Sequence, residues 1–384
     1  MLRFIPILAL AISLTEQVVT PELVPERNYR FPVDDITVES IIKESGSLSK
    51  EEAEKRNFKN PVLAYVAPWN TYGYDLAKKT AKKLTHVSPI WFKARPYRQN
   101  GALQCKVEGS PDIDRSFMEA LKAENWQISI VPLISFEKWG VEAPRFLRDT
   151  AAQTRCAHQI VDFLTRNEFD GAVLNMFTTF SFVTRAASPG YKKMIYEAME
   201  EFAQQFTDKS LEVIFSMVPS INSIFYENDA FSGTDFQRLT DMSTFLEIDL
   251  FGIPLDDELL EVSPYDWLYK GLKHAENGGA NMSRVLMGTH FFGYQNTDPM
   301  NFPSPDSSLG EVANKELMEK LKSGKVDIKW DADIWEHAFV HKETVIYYPT
   351  LSSLERKFKL AEHFHVGVAI WEYGQGLDYF ARVF

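Results

Sequence analysis

The chain has 384 residues, 45% of them hydrophobic, and its 53 acidic side chains outnumber 41 basic ones for a formal charge of -12. That is enough apolar material for a substantial core, and its length accommodates a single barrel of about 250 residues enlarged by insertion. The acidic balance, with no block of Lys and Arg, excludes the basic footprint of a nucleic-acid binder and disfavours binding to anionic membranes.

Residues 1–19 read as a secretory signal peptide. Arg3 supplies the positive start, and Phe4 to Leu14 is an apolar run too short to span a bilayer. No later segment is apolar enough to cross a membrane, so no span is expected after cleavage. Residues 20–60 form a polar N-terminal arm in which Ser49 and Glu52 have the spacing of a capping box.

From residue 61 to 384, short apolar runs recur: Val62–Ala67, Thr85–Phe92, Ile128–Phe136, Gly171–Phe177, Leu211–Val218, Phe245–Ile253, Val285–Phe292 and Val366–Trp371. Each is strand-length and close to continuously apolar, as parallel strands covered on both faces are. Amphipathic stretches lie between them, at Asp75–Leu84, Asp114–Glu124, Ala151–Arg166, Lys192–Phe206 and Leu354–His363. Eight strands alternating with helices predict an α/β fold, a (β/α)8 TIM barrel. An open doubly wound sheet would show a Gly-rich first turn, where this chain has Pro68-Trp69-Asn70. The gap between strands seven and eight is about twice the usual repeat, which places a small insertion at 294–349 with a strand near Val345–Tyr348.

Two cysteines, Cys105 and Cys156, are compatible with a bridge or with two buried thiols. Asn281-Met282-Ser283 is a glycosylation sequon for a chain on the secretory route. His337 and His341 share a face in either a helix or a strand but lack an evident third ligand, so no metal site is read, and no cofactor motif is found.

Active and binding sites of such barrels lie at the C-terminal ends of the strands. Those ends carry Trp69, Trp91, Glu137, Asn175, Phe177, Asp257, Tyr294, Trp371 and Glu372. The group is rich in flat aromatic faces and poor in paired carboxylates. Such a rim suits a saccharide, whose C–H faces stack on aromatic rings.

Phe169-Asp170-Gly171-Ala172-Val173-Leu174-Asn175-Met176-Phe177 resembles the fourth-strand motif of glycoside hydrolase family 18, the chitinases. Val285 to Tyr294 resembles the family's seventh strand, and Gly367 to Glu372 its eighth, whose Trp floors the sugar pocket. A narrower likeness within the family is carried by Val62 to Asn70, Ile130-Val131-Pro132, Tyr348 to Leu351 and Trp371 to Phe380.

The resemblance implies an oligosaccharide ligand, with Trp371, Trp69, Trp91, Phe177, Glu137, Tyr294, Asp257 and Glu372 as candidate contacts. It also implies loss of the usual chemistry. In this family the substrate's N-acetyl oxygen attacks the anomeric carbon, the motif's last Glu protonates the leaving oxygen, and an Asp two residues earlier orients the acetamide. Those two positions are Phe177 and Asn175 here, with Val173 at the intervening acidic position and only Asp170 retained. Strand six shows Pro254-Leu255-Asp256-Asp257 where the family has a Tyr before its Asp, so Asp257 alone stays in register. The expectation is a lectin-like protein binding N-acetylglucosamine-containing glycans. The alternatives are a weak glycosidase acting through Glu137 or Glu372, or an interaction scaffold. The narrower likeness further implies a secreted or lysosomal destination and an endocytic scavenger receptor as partner.

Overall fold

A computed structural model describes residues 28–184, 189–217, 233–250, 253–255, 258–260, 264–296, 310–332, 334–342 and 344–384. The signal segment, Asp256 and Asp257 lie outside the described residues. The eight apolar runs form eight parallel barrel strands: Val62–Val66, His86–Pro89, a third in two pieces (Ser129–Ile130 and Leu133–Phe136), Gly171–Leu174, Glu212–Met217, Phe245–Asp249, Val285–His290 and Gly367–Trp371.

The sheet closes between strands two and three. His86–Pro89 pairs with Ser129–Ile130, and the chain resumes at Phe92, where it pairs with Leu133–Phe136. Both strands are broken once, at matching heights. At the break in strand three the Pro132 carbonyl still accepts from Val173, so the ladder to strand four runs on past a residue that has no N–H to give.

Alternation along each strand sorts the core into two layers. Leu63, Tyr65, Val131, Leu133, Val173, Ile214, Leu286 and Ala369 fill the lumen, with Ile90, Phe245 and Trp371 packed against them. Their chain neighbours face outward to the helices, as Val62, Ala64 and Val66 do on strand one. The covering helices include Tyr72–Lys79, Arg115–Glu124, Thr150–Arg166, Pro189–Asp208, Tyr265–Asn277 and Leu351–His363. Asp114 and Asp149 cap two of them by accepting from the N–H groups of Phe117 and Ala152.

Two features depart from expectation. Strand two runs on into a hairpin, Phe92–Gln99 with Ala102–Glu108. Its turn is Asn100-Gly101, both at positive φ (50° and 82°), the turn type whose twist matches that of paired strands. Secondly, strand four stops at Leu174, and a helix, Met176–Thr184, begins where Phe177 was expected to continue the strand.

The insertion is an antiparallel five-stranded sheet in the order Gly310–Val312, Gly293–Asn296, Thr344–Tyr348, Glu336–His341, Val326–Asp331, with a helix at Asn314–Lys322. His337 and His341 therefore share a strand face. His337 is spent on Thr350 Oγ1 and the Val33 carbonyl, and burial lowers its pKa to about 4. A buried Glu336–Lys357 pair, 2.8 Å, joins the insertion to the helix leading into strand eight. Ser49 and Glu52 form the capping box expected of the arm. Arg382 then ties Glu44 and Glu52 of the arm to the last residues of the chain.

Cys105, on the hairpin, is bonded to Cys156 on Thr150–Arg166, which resolves the open choice in favour of a disulfide. The bridge closes 51 residues and pins the hairpin to the barrel wall. Replacing both cysteines with serine is expected to cost about 2–4 kcal/mol of unfolding free energy, chiefly by freeing the unfolded chain. Urea denaturation of the two proteins checks this, and an unchanged midpoint would contradict it.

Candidate functional site

Polar side chains that alternation turns into the lumen must find partners there, because water cannot reach them all. At the N-terminal end, Glu212 accepts from Ser129 Oγ (2.6 Å) and pairs with His86 Nε2 (2.8 Å). Burial alone would raise the Glu212 pKa, but His86 and Ser129 hold it below the ordinary value. Towards the mouth, Tyr65 of strand one donates its hydroxyl to Glu247 of strand six across the lumen. Ser216 on strand five stands in register beside Glu247, and Leu286 on strand seven flanks its other side. Burial raises the Glu247 pKa to about 7, against hydrogen bonds from Tyr65 and Ser216 that favour its anion.

Above this pair lies Trp371, the last residue of strand eight. Its ring meets that of Tyr65 edge to face, centroids 5.1 Å apart and planes at 63°. Strand one pairs with strand eight, so the loop leaving strand one brings Trp69 to the neighbouring part of the rim, where it is 66% exposed. Asp249 ends strand six. Asn175 follows the end of strand four, its Oδ1 accepting from the Phe136 N–H at 2.9 Å. Glu137 follows strand three, salt-bridged to Lys93 (3.1 Å) and Arg95 (2.9 Å). Burial works against ionisation of Glu137, yet these two cations keep its pKa below the ordinary value.

Other expected contacts lie elsewhere. Trp91 is buried outside the barrel wall, its indole N–H donating to Tyr74 at 2.7 Å. Phe177 is buried in the first turn of its helix and stacks on Tyr196, 5.8 Å between centroids, so it does not face the mouth. Tyr294 is buried at the root of the insertion against His290 and Phe292. Glu372 points away from the lumen and lies beneath the first turn of Tyr72–Lys79, close to Gly73. Burial raises its pKa to about 7, partly offset by Asn70 and Gln375. The strand-six reading also needs correction: the barrel strand ends at Asp249, and Ile253–Leu255 belongs to a separate two-stranded hairpin.

Asp170 stands at the opposite end of strand four, accepting from the Ile130 N–H (2.7 Å) and Lys122 (2.9 Å). Val173 is a lumen residue. Asn281 is exposed, with Ser283 Oγ donating to its Oδ1 at 2.8 Å. Among the described residues, no group of three or more His, Cys, Asp or Glu is placed to hold a metal.

The family model of glycosyl hydrolases family 18 matches residues 61–376. The chain belongs to glycosyl hydrolase family 18. Solved structures with the same fold include a chitinase from Chromobacterium violaceum, with TM-score 0.66 and 17% identity over 85% of this chain and 98% of that one. A chitinase from Cycas revoluta in complex with (GlcNAc)3 matches with TM-score 0.63 and 11% identity over 84% of this chain and 97% of that one. A mutant of Group II chitinase catalytic domain 2 from Ostrinia furnacalis, in complex with a chito-oligosaccharide, matches with TM-score 0.63 and 14% identity over 82% and 90%.

For a family 18 barrel, this mouth has an aromatic floor, one exposed Trp at its side and no carboxylate from strand four. Trp371 and Trp69, singled out from the sequence, lie at the strand ends as expected, whereas Tyr65 and Glu247 were not singled out. The available signal was parity: Glu247 interrupts an apolar strand on the same face as Phe245 and Asp249. A raised carboxyl pKa makes the folded state the better proton binder, so the contribution of Glu372 to stability falls as pH rises from 4.5 towards about 7. Relative to wild type, Glu372→Gln should flatten the pH dependence of unfolding free energy in that window. Parallel curves for the two proteins would refute the assignment.

Proposed function

We propose that this family 18 barrel is lectin-like, holding N-acetylglucosamine-containing oligosaccharides at its mouth without cleaving them in the family's usual way. The observation that carries the reading is the end of strand four. Asn175 is engaged with the neighbouring strand, and the chain then turns into a helix that buries Phe177. Neither side chain has a proton to transfer, and general acid–base catalysis contributes typically 10²–10⁴-fold to rate. The Tyr65–Trp371 floor supports retention of binding, since aromatic faces remain available to a sugar ring without any acid. Two structurally similar chitinases are described in complex with chito-oligosaccharides, which supports the choice of ligand class.

A second reading, a weak glycosidase, is favoured by one observation: burial raises the Glu372 pKa to about 7, so it keeps a proton further towards neutrality than an ordinary carboxylate, as a general acid must. Its place beneath the helix Tyr72–Lys79 argues against it. Glu137 is held as an ion-paired anion and suits the part less.

The sequence runs Val62 to Asn70 and Trp371 to Phe380 resemble chitinase domain-containing protein 1, the stabilin-interacting chitinase-like protein. We place the chain nearest that subfamily and assign it to the secretory route, with a secreted or lysosomal destination. An exposed Asn281 is compatible with modification there. Expression in a glycosylating cell should give a product that loses mass with an N-glycan-cleaving amidase, and Asn281→Gln should remove the shift. An unmodified secreted product would count against glycosylation at this position.

Chito-oligosaccharide titration followed by tryptophan fluorescence should saturate, and Trp371→Ala should weaken binding at least tenfold. A fluorogenic chitobioside should show no turnover above that of a Glu372→Gln control. Turnover abolished by that substitution would favour the glycosidase, and absence of any glycan response would sink the lectin.

A further inference from the structure

The Tyr65–Glu247 pair lies under the sugar-stacking floor, and the loss of the strand-four acids gives it no evident part in hydrolysis. Its geometry links three strands. Glu247 on strand six accepts from Tyr65 on strand one, and the Tyr65 ring carries Trp371 on strand eight. Glu247 and Tyr65 are 3% and 2% exposed, so each constrains the other with little help from water.

We propose that Glu247 is a positioning residue of the mouth, fixing Trp371 through Tyr65 and making the carbohydrate site proton-sensitive. The inference rests on the carbohydrate reading for its ligand but not for the coupling itself.

The surroundings define which groups titrate with it. Strand one offers the Tyr65 phenol, whose pKa burial and Glu247 push well above the usual value, so it remains a donor. Strand two offers Ser88 and, at the far end, His86, which is occupied by Glu212 of strand five. Leu133 of strand three and Val173 of strand four are apolar. Asn175, above Val173, is neutral. Strand five brings Ser216 and strand six itself Asp249. Strand seven brings Leu286 and, at its end, His290, which burial holds neutral down to about pH 3. Strand eight brings Ala369 and Trp371. Asp249 is the acidic neighbour on the same strand face.

Glu247 changes charge at about pH 7. Below that pH the lumen holds a neutral acid hydrogen-bonded to Tyr65. Above it, a buried anion lies beneath the floor. An uncharged sugar seated on Trp371 removes more water from above Glu247, which further disfavours the anion. Binding should therefore take up a proton, and affinity should fall as pH rises through 7, by at most tenfold per pH unit. Gln at this position keeps an acceptor for Tyr65 and cannot ionise.

The coupling can be read without any ligand. In full-length protein labelled with 5-fluorotryptophan, the Trp371 ¹⁹F resonance is assigned by its absence in Trp371→Phe. It should shift with a midpoint near pH 7 in wild type, and that step should vanish in both Glu247→Gln and Tyr65→Phe. A resonance that ignores pH, or that titrates unchanged in Glu247→Gln, overturns the proposal. Chito-oligosaccharide affinity should weaken about tenfold between pH 7 and 8.5 in wild type and stay flat in Glu247→Gln. An affinity that rises with pH, or falls equally in both proteins, overturns the ligand-linked part. A Trp371 step present only in wild type, with no glycan bound at any pH, keeps the coupling and sinks the carbohydrate reading.

Discussion

A closed eight-stranded sheet has an interior only as wide as the side chains that fill it, and every other residue of every strand must go there. That constraint governs the molecule. Most inward positions are aliphatic, as Leu63, Val131, Val173, Ile214 and Leu286 show. Acidic exceptions are costly unless partnered, and Glu212 and Glu247 each have a partner. Glu212 is satisfied at one end of the lumen by His86 and Ser129, and Glu247 nearer the mouth by Tyr65. Burial opposes the charge of both acids, more completely at Glu247, and the outcomes are opposite. Glu212 sits beside an imidazole that stabilises its anion, whereas Glu247 is fully buried with only hydroxyl partners. One is a fixed structural anion; the other is poised to change charge.

The same constraint explains why the fate of strand four matters so much. A strand that continued for three more residues would send a third inward side chain into the mouth, after Val173 and Asn175. Here the strand stops at Leu174, and the helix starting at Met176 carries the next side chains off the inward row. Met176, Phe177, Phe180 and Val183 recur at helical spacing, and burying Phe177 on Tyr196 secures that helix. An acid at Phe177 would be carried into an apolar helix interface.

How much of this was legible in the sequence follows from the same physics. Continuous apolar runs announced the barrel because parallel strands are buried on both faces, and long amphipathic stretches such as Thr150–Arg166 announced the wall. The hairpin Phe92–Glu108 was missed because its outer strands are charged and only half-buried, although Asn100-Gly101 marked its turn. Site residues failed by parity. Trp91 is one residue away from inward-facing Ile90, and Glu372 one away from inward-facing Trp371; a shift of one residue moves a side chain to the other face of a strand. Strand ends also deceived: apolar runs that continue past Leu174 or Asp249 belong to the next element, and length alone does not show where pairing stops.

Counting carboxylates near a barrel mouth therefore says little about acid chemistry until each one's proton is located. Glu137 is accessible but is held as an anion by Lys93 and Arg95, so it cannot donate. Glu372 has a proton near neutrality, yet it lies on the outward side of strand eight beneath Tyr72–Lys79. Glu247 has both a proton and an inward position, but its hydrogen bond to Tyr65 commits it to the floor rather than to the rim. Among these three residues, accessibility, protonation and direction do not coincide, and catalysis by proton transfer needs all three in one. Binding does not: on the reading proposed above it needs the aromatic floor held at the right tilt, and the Tyr65–Trp371 contact, anchored across the lumen by Glu247, supplies a fixed ring pair with a carboxyl group that never has to leave its partner.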